Sequence, residues 1–414
     1  MTTPTKTEKL YDTDAYCKSF SATVLSCTPA GEHGRFAVVL NRTAFFPEGG
    51  GQYADTGMLN DVPVLDVQVD ADGVITHFCD GPLTPLTQVS GVLDWEQRFE
   101  RMQNHTGEHL VSGTVHRLYG LDNIGFHLGE RDVTCDFNGE LSEEQLREVE
   151  RVVNRAVWEN VEVYAEYPDP ATLPDLDYRS KLELTEDVRL VTIPGYDVCA
   201  CCAPHVARTG EVGLIKIVQS EKAHGGTRIR MICGPWALED YTVKQSNIMR
   251  IVDLTSTPQE ETADAVEALQ GQNGHLTHEL SVAQQHQANI ALRFLKDQME
   301  GEAFTGADPS GNLVVYLPSL ETDALRALAN GGRDLCCGVF VALTAGEKDL
   351  GPDGKPVRYR YIATAKKLPL SRLAREFNEV LNGRGGGRDE MVQGSFEADL
   401  KDIVEYFRQN TFPA

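Results

Sequence analysis

Short apolar runs broken by turn residues open the chain. Phe36–Leu40, Val62–Val69 and Val74–Phe78 are rich in β-branched and aromatic residues, and Pro, Gly, Asp and Asn punctuate residues 15–95 at short intervals. This pattern predicts short strands forming a small β-barrel or sandwich, of which the barrel is the expected form. The period then changes. In 95–118, Val111, Val115 and Leu118 are spaced by four and three, as one helix face requires. Ser142-Glu143-Glu144-Gln145 reads as a capping box before a helix with apolar positions Leu146, Val149, Val153 and Val157. Leu214–Val218 and Thr227–Cys233 read as two strands of a hairpin, so this stretch is α+β.

Residues 258–300 are rich in Gln, Glu and Ala. Positions 266, 269, 273, 276, 280, 283, 287, 290 and 294 alternate spacings of three and four and hold Val, Leu, Asn, Leu, Leu, Ala, Gln, Ile and Phe. That is a heptad seam with two polar interruptions. It predicts either a long amphipathic helix lying on a core or a helical stalk, pairing with its copy in a homodimer. Gly271 and Gly274 weaken it locally. Beyond it, Asn312–Tyr316 and Gly338–Ala342 are buried-strand candidates, Glu321–Leu328 and Ser371–Leu381 helical ones, and Gly-Arg-Gly-Gly-Gly follows at 383–387. The expected class is therefore multidomain α+β: a β-barrel domain (1–95), an α+β domain (96–250) that carries the Cys and His clusters described below, a helical stalk (251–300) and a C-terminal α/β glycine-rich domain (301–414).

Composition narrows the partners. The 414 residues are 41% hydrophobic and 24% charged, an ordinary globular mix. No window approaches the roughly 20 apolar residues of a spanning helix. The first twenty residues lack an apolar core, so no secretory signal is expected and the cytoplasm is the expected location. Ten cysteines are too sparse for a disulfide scaffold. The net charge of −24 argues against a globally basic nucleic-acid binder, so any such contact needs a local basic patch.

Clustered Cys and His suggest a metal site. His105-Thr106-Gly107-Glu108-His109 puts two imidazoles one turn apart on one helix face. Cys201-Cys202-Ala203-Pro204-His205 reads as a loop able to wrap the other side of the same ion. Imidazole and thiolate suit Zn²⁺, and His105, His109, Cys201 and His205 complete a tetrahedron, with Cys199 and Cys202 as rivals to Cys201. His-x-x-Glu-His also matches an inverted zincin with Glu108 as general base and Glu148 or Glu150 as a further ligand. That metallopeptidase reading leaves Cys201 and His205 unexplained. A non-catalytic RNA-binding protein with structural zinc is the third reading.

Further motifs favour one reading. Phe45-Phe46-Pro47-Glu48-Gly49-Gly50-Gly51-Gln52-Tyr53-Ala54-Asp55-Thr56-Gly57 places three glycines in a strand-rich region, which implies a close backbone approach. With the two metal motifs, Thr209-Gly210-Glu211-Val212-Gly213, Thr227-Arg228-Ile229-Arg230 and Cys233-Gly234, it resembles the editing region of alanyl-tRNA synthetases. The resemblance is greater to their free-standing relatives, the alanyl-tRNA editing proteins. Gly385-Gly386-Gly387-Arg388 with Gln393-Gly394 is similar to the glycine-rich domain that ends many alanyl-tRNA synthetases. Threonyl-tRNA synthetase editing domains share the metal motifs, but the Gly-Gly-Gly-Gln segment and the C-terminal domain favour the alanine family. The resemblance covers about residues 15–414 and points to the long form of the free-standing editors.

What the resemblance implies is a zinc-dependent hydrolase that deacylates tRNA(Ala) mischarged with serine or glycine. No Asp-His-His triplet accompanies the C-terminal domain, and no aminoacylation domain precedes residue 15, so the chain is expected to erase charging errors. Two roles are open to the ion: activating the attacking water or orienting the ester. Four protein ligands favour orientation or an expanded shell. Glu108 reads as a base or, the favoured reading, as a solvated helix residue. Gln52, Ile124–Gly129 and Thr134 are candidate pocket residues. For tRNA, window 355–388 holds nine basic residues against Glu376 and Glu379. Arg358, Arg360, Lys366, Lys367, Arg384 and Arg388 are its candidate contacts, with Tyr359 and Tyr361 interleaved and the 383–387 run as a loop whose amides face a phosphate. Arg228 and Arg230, with Lys216 and Lys222, form a second candidate cluster.

Overall fold

The computed structural model describes residues 6–31, 34–180, 188–223, 225–300 and 311–412. The chain divides into two units, Met1–Arg250 and Ile251–Ala414. The first opens with β1 (Glu8–Lys9) and one helical turn, α1 (Leu10–Thr13). Then follow β2 (Ser19–Ala30), β3 (Arg35–Leu40), β4 (Arg42–Thr43), β5 (Gly57–Leu59), β6 (Val62–Val69), β7 (Ile75–Cys79) and β8 (Gln88–Leu93). β4 pairs in parallel with β1. The other six close into a barrel in the order β2-β3-β7-β6-β5-β8, which removes exposed sheet edges. Val24, Val38, Leu40, Phe45, Leu59, Val67 and Ile75 fill it. Among them sits His77, whose Nδ1–H donates to the Val38 carbonyl (3.1 Å) and whose Nε2 accepts from Thr43 (2.8 Å).

Helix α2 (Trp95–Tyr119) leaves the barrel, capped at Asp94 by an Asp94 side chain that accepts from the Gln97 N–H and closed by left-handed Gly120. A one-sided apolar stripe was the expectation; instead every residue from Met102 to Val115 is buried. The reason is position. The helix runs between the four-stranded antiparallel sheet β14-β15-β10-β9, the three-stranded sheet β11-β12-β13 and helix α3, and its polar residues meet one another in the interior. These elements are β9 (Asn123–Leu128), β10 (Val133–Phe137), α3 (Glu143–Glu159), β11 (Tyr164–Glu166), β12 (Leu190–Ile193), β13 (Asp197–Ala200), β14 (Ile215–Ala223) and β15 (Gly226–Cys233). The capping box at Ser142 and Gln145 forms as its spacing predicts. Buried Arg98 ties α2 to the barrel, donating to the Asp55 carboxylate (Nε, 2.9 Å) and to the Ala44 carbonyl (2.6 Å). α4 (Pro235–Thr255) follows the sheet.

The second unit contains α5 (Thr262–Glu300), β16 (Leu313–Tyr316), α6 (Thr322–Gly332), β17 (Phe340–Thr344), β18 (Tyr359–Thr364), α7 (Leu370–Val380), β19 (Gly383–Arg388), β20 (Met391–Phe396) and α8 (Leu400–Gln409). Its sheet runs β16-β17-β18-β20-β19, with Phe377, Phe396 and Phe407 packed on one face and Leu325, Leu328 and Ala288 on the other. Helix α5 buries Gln284 and Ala288 in this core but leaves Leu269, Leu276, Leu280, Ile290 and Phe294 of the heptad seam exposed. The glycine run is a correction: residues 383–388 form an edge strand, not a loop, and pair with β20. A Cβ at Gly385 or Gly387 would lie 2.3 or 2.4 Å from the β20 backbone, which is why these positions carry glycine. Among the described residues no helix is long and apolar enough to cross a membrane.

Candidate metal centre

The helix periodicity of α2 sets His105 and His109 side by side, and the loop after β13 brings Cys201 and His205 across from them. The four ligand atoms lie within 4.8 Å of one another. Cys201 Sγ is 3.6 Å from His105 Nε2 and 3.4 Å from His205 Nε2. A tetrahedral ion with Zn–N near 2.05 Å and Zn–S near 2.3 Å sets nitrogen and sulfur about 3.6 Å apart, so these edges fit zinc.

The outer nitrogens decide the tautomers. His105 Nδ1–H donates to Gln52 Oε1 (2.8 Å), His109 Nδ1–H to Asp197 Oδ2 (2.9 Å) and His205 Nδ1–H to Thr106 Oγ1 (3.1 Å). Each imidazole therefore turns Nε2 and its lone pair toward the cluster centre, the arrangement that metal-binding histidines need. Asp197 is itself gripped by Arg179, through Nε (2.7 Å) and Nη2 (2.8 Å). Burial opposes charge on Asp197, but the hydrogen bonds from His109 and Arg179 prevail and hold its carboxyl below the usual range. Burial would likewise raise the Cys201 thiol; His105 and the hydrogen bonds of the three imidazoles bring it well below the ordinary thiol range. Burial lowers His205 to about 3. Burial opposes charge on His109 too, but there Cys199, the hydrogen bond to Asp197 and Cys201 prevail and raise it well above the usual imidazole range. A thiolate and a neutral imidazole are the forms a metal binds, so metal binding displaces a proton from His109.

Two glycines make the arrangement possible. Gly51 has φ +82°, and a Cβ there would lie 2.7 Å from the Phe126 carbonyl oxygen. Its own carbonyl accepts from the Leu128 N–H (2.8 Å), which fixes Gln52 beside His105. This is the close approach expected of the glycine triplet. Gly107, between the two metal-facing histidines, lets β15 approach: a Cβ would lie 2.3 Å from Cys233 Sγ.

Of the rival thiols, Cys202 is exposed. Cys199 forms a lesser group with His109 and Asp197, but Asp197 there engages the back of His109 and the guanidinium. Glu148 pairs with Arg151 on the exposed side of α3, and Glu150 accepts from Lys216 and the Ile217 N–H; neither joins the metal group, so the inverted-zincin ligand set does not assemble.

The centre opens into a cavity of about 1140 Å³. Of the expected pocket residues, Ile124, Gly125 and Phe126 line it, with Gly50 and Gly51; His127, Leu128, Gly129, Gln52 and Thr134 do not. Glu108 also lines it and is only 4% exposed, which overturns the reading of this residue as solvated. Gln52 is 1% exposed and acts through His105; its Nε2 has no hydrogen-bond partner among the described residues. Sequence reasoning missed Thr106, Arg179 and Asp197. Only Thr106 stood inside a motif; the other two lie on strands and turns with no spacing to mark them.

The basic candidates fare differently. Arg228 pairs with Asp136 on the neighbouring strand and Arg230 with Asp132 just before it, and Lys216 and Lys222 pair with Glu150 and Glu140, so the second cluster is balanced by acids. Arg358 and Arg360 both hold Asp349, which lies outside the charge-rich window, and Lys366 pairs with Asp334. Tyr359 and Tyr361 face the core, the latter stacked on Phe396 at 4.1 Å. Lys367, Arg384 and Arg388 are exposed.

Fold and centre together define a barrel-bearing α+β protein with a buried His₃Cys group at the base of a large cavity. Residues 188–230, which carry Cys201 and His205, match the family described as the threonyl and alanyl tRNA synthetase second additional domain. An alanine–tRNA ligase of Ignicoccus hospitalis is 29% identical over 96% of this chain, which spans only 42% of the ligase. The alanyl-tRNA editing protein Aarsd1-A of Xenopus laevis is 32% identical over 62% of this chain and 66% of its own length. Aarsd1 of Mus musculus is 28% identical over 92% of both. A solved C-Ala domain from the Aquifex aeolicus alanyl-tRNA synthetase aligns with 24% of this chain and 87% of its own at 22% identity and a TM-score of 0.19. The resemblance carried by the motifs thus holds along nearly the whole chain, and the protein is a relative of the free-standing alanyl-tRNA editing proteins.

Proposed function

We propose that the chain is a trans-editing hydrolase that cleaves the ester of tRNA(Ala) mischarged with serine or glycine, at a zinc ion held by His105, His109, Cys201 and His205. The observation that carries this reading is the convergence of these four donors, each imidazole oriented from behind, at the floor of a cavity with room for an aminoacyl end. That the relatives are alanyl-tRNA editing proteins points to the substrate class. When bound, the ion supplies Lewis acidity toward an ester carbonyl or an attacking water.

The chain's own residues do the rest. Gln52, Asp197 and Thr106 hold the three rings in register. Asp197 in turn needs Arg179, because an unpaired buried carboxylate is costly. Glu108 is the carboxylate on the ligand-bearing face of α2 and stays within reach of an acyl group in the cavity. Lys367, Arg384 and Arg388 are proposed to contact tRNA phosphates and to make binding salt-dependent, with lesser parts for Lys366, Arg358, Arg360, Arg228 and Arg230, whose charges are already paired. The exposed heptad seam of α5 is the proposed contact of a homodimer, and the cytoplasm the proposed location.

The test is deacylation of seryl- and glycyl-tRNA(Ala) by the purified chain, with metal content measured in parallel. Ester loss in the wild type that disappears, together with zinc, in His105→Ala is the expected result. A zinc-loaded chain that leaves both esters intact would sink the proposal.

A further inference from the structure

Arg189 is 7% exposed, and an arginine that deep ordinarily pairs with a carboxylate. Here it does not. Its Nη1 donates to the Cys201 (3.0 Å) and Ala203 (2.9 Å) carbonyls, which ties the guanidinium to the loop that carries two of the four metal donors. Nε and Nη2 have no partner among the described residues. The side chain lines the cavity over the centre, and so does half-buried Lys9, which β1 sets there by pairing with Thr43 of β4. Lys9 forms no ion pair among the described residues. The charges of Lys9 and Arg189 both reach the Cys202 thiol, so the two cations converge on one stretch of the wall. Nearby charged groups are engaged otherwise. Arg179 forks onto Asp197, and Asp12 accepts from the Tyr167 hydroxyl (3.0 Å). Glu8 and Glu108 also line the cavity, and among the described residues neither pairs with Lys9 or Arg189.

A guanidinium is always protonated, so burying one without a counter-charge is costly unless an anion arrives. An aminoacyl-tRNA brings one. Seryl and glycyl groups carry no negative charge, and the anion nearest the ester is the phosphodiester on the 5′ carbon of the same ribose. That phosphate goes wherever the ribose goes. An ester carbonyl at the metal centre therefore sets it against a neighbouring part of the cavity wall. Phosphate suits both cations: the uncommitted edge of Arg189 offers paired N–H donors, and Lys9 offers a point charge. We infer that Lys9 and Arg189 form a phosphate subsite that holds the phosphodiester 5′ of the esterified ribose and so presents the ester to the centre. This inference rests on the editing reading above and adds to it a contact within the reacting nucleotide, one whose grip does not depend on which amino acid is attached.

The experiment compares two seryl-tRNA(Ala) substrates, one native and one whose 3′-terminal internucleotide linkage is a neutral methylphosphonate, in the zinc-loaded wild type and in Lys9→Gln. The wild type is expected to favour the charged linkage by about 10- to 100-fold in kcat/KM, the loss of hydrogen bonds to a charged group. In Lys9→Gln that ratio should fall several-fold. Lys9 is the residue to vary, because Arg189 also ties down the loop that bears Cys201. A wild type that hydrolyses both substrates equally overturns the inference while leaving the editing reading intact, and needs no variant to do so. A ratio as large in Lys9→Gln as in the wild type, at unchanged zinc content and melting temperature, also overturns it: a merely structural lysine would slow both substrates alike. A wild type inactive on both removes the editing reading itself.

Discussion

The metal centre and the basic window of the C-terminal unit began as similar claims, each a set of polar residues close in sequence. The fold treated them in opposite ways. At the centre, His105, His109, Cys201 and His205 turn their donor atoms toward one another, and Gln52, Asp197 and Thr106 occupy the far sides. In the window, Arg358 and Arg360 turn to Asp349, Lys366 to Asp334, and the tyrosines to the core. Imidazole nitrogens and a thiolate turned toward one another away from water are costly unless something binds them. Surface charges have no such constraint and accept whichever acid is nearest. A ligand motif thus survives folding better as a signal than a charge run does.

The sharpest way to break this contrast is at a ligand. His105→Ala should abolish both zinc retention and ester hydrolysis, as read by metal analysis and tRNA deacylation; retained zinc with retained activity would dissolve the centre as described. Asp197→Asn leaves the ligands in place but takes the charge from behind His109, so zinc affinity measured by chelator competition should fall about 10- to 100-fold. A change below twofold would reduce Asp197 to packing.

The barrel offers a comparison of a buried imidazole with no metal role. His77 is lowered to about 4 by burial, whereas the unfolded chain titrates it near 6.5. The unfolded state therefore binds the extra proton first, and stability should decline as pH falls from about 6.5 toward 4. The span corresponds to about 3 kcal/mol, read as a pH-dependent shift in the denaturation midpoint. His77→Gln should flatten that dependence; an unchanged slope would place the titration elsewhere. The smallest effect is expected at the surface. Replacing Lys367, Arg384 and Arg388 together with Ala should weaken tRNA binding several-fold and reduce its salt dependence by up to about three charges' worth, without altering zinc content. If binding is unchanged, the basic window is a solvated surface.

Much of the architecture was legible because it follows from local rules. The Ser142 capping box, the alternating strands of the barrel and the helix bearing His105 and His109 depend on neighbours within a turn or a pleat. The heptad spacing foretold the helix but not its packing: the residues of α5 that lie on a core, Gln284 and Ala288, are off the seam, and the seam itself is exposed. The glycine run at 383–387 misled because glycine signals close approach as readily as a loop, and only the register with β20 separates the two. Glu108 misled because a charged residue in a helix is usually solvated, and this helix runs through the interior.

By itself, the order of residues determined which side chains were able to hold a metal, since chemical type and helical spacing are properties of the chain alone. Which of Cys199, Cys201 and Cys202 joined them, which nitrogen of each imidazole faced inward, and where Glu108 came to rest were decided by contacts between residues tens of positions apart: Gln52 on His105, Asp197 on His109, Asn123 on Glu108. Those contacts form only when barrel, sheet and helix pack together, because hydrogen bonds act over about 3 Å and no spacing along a chain sets a distance that short between remote segments.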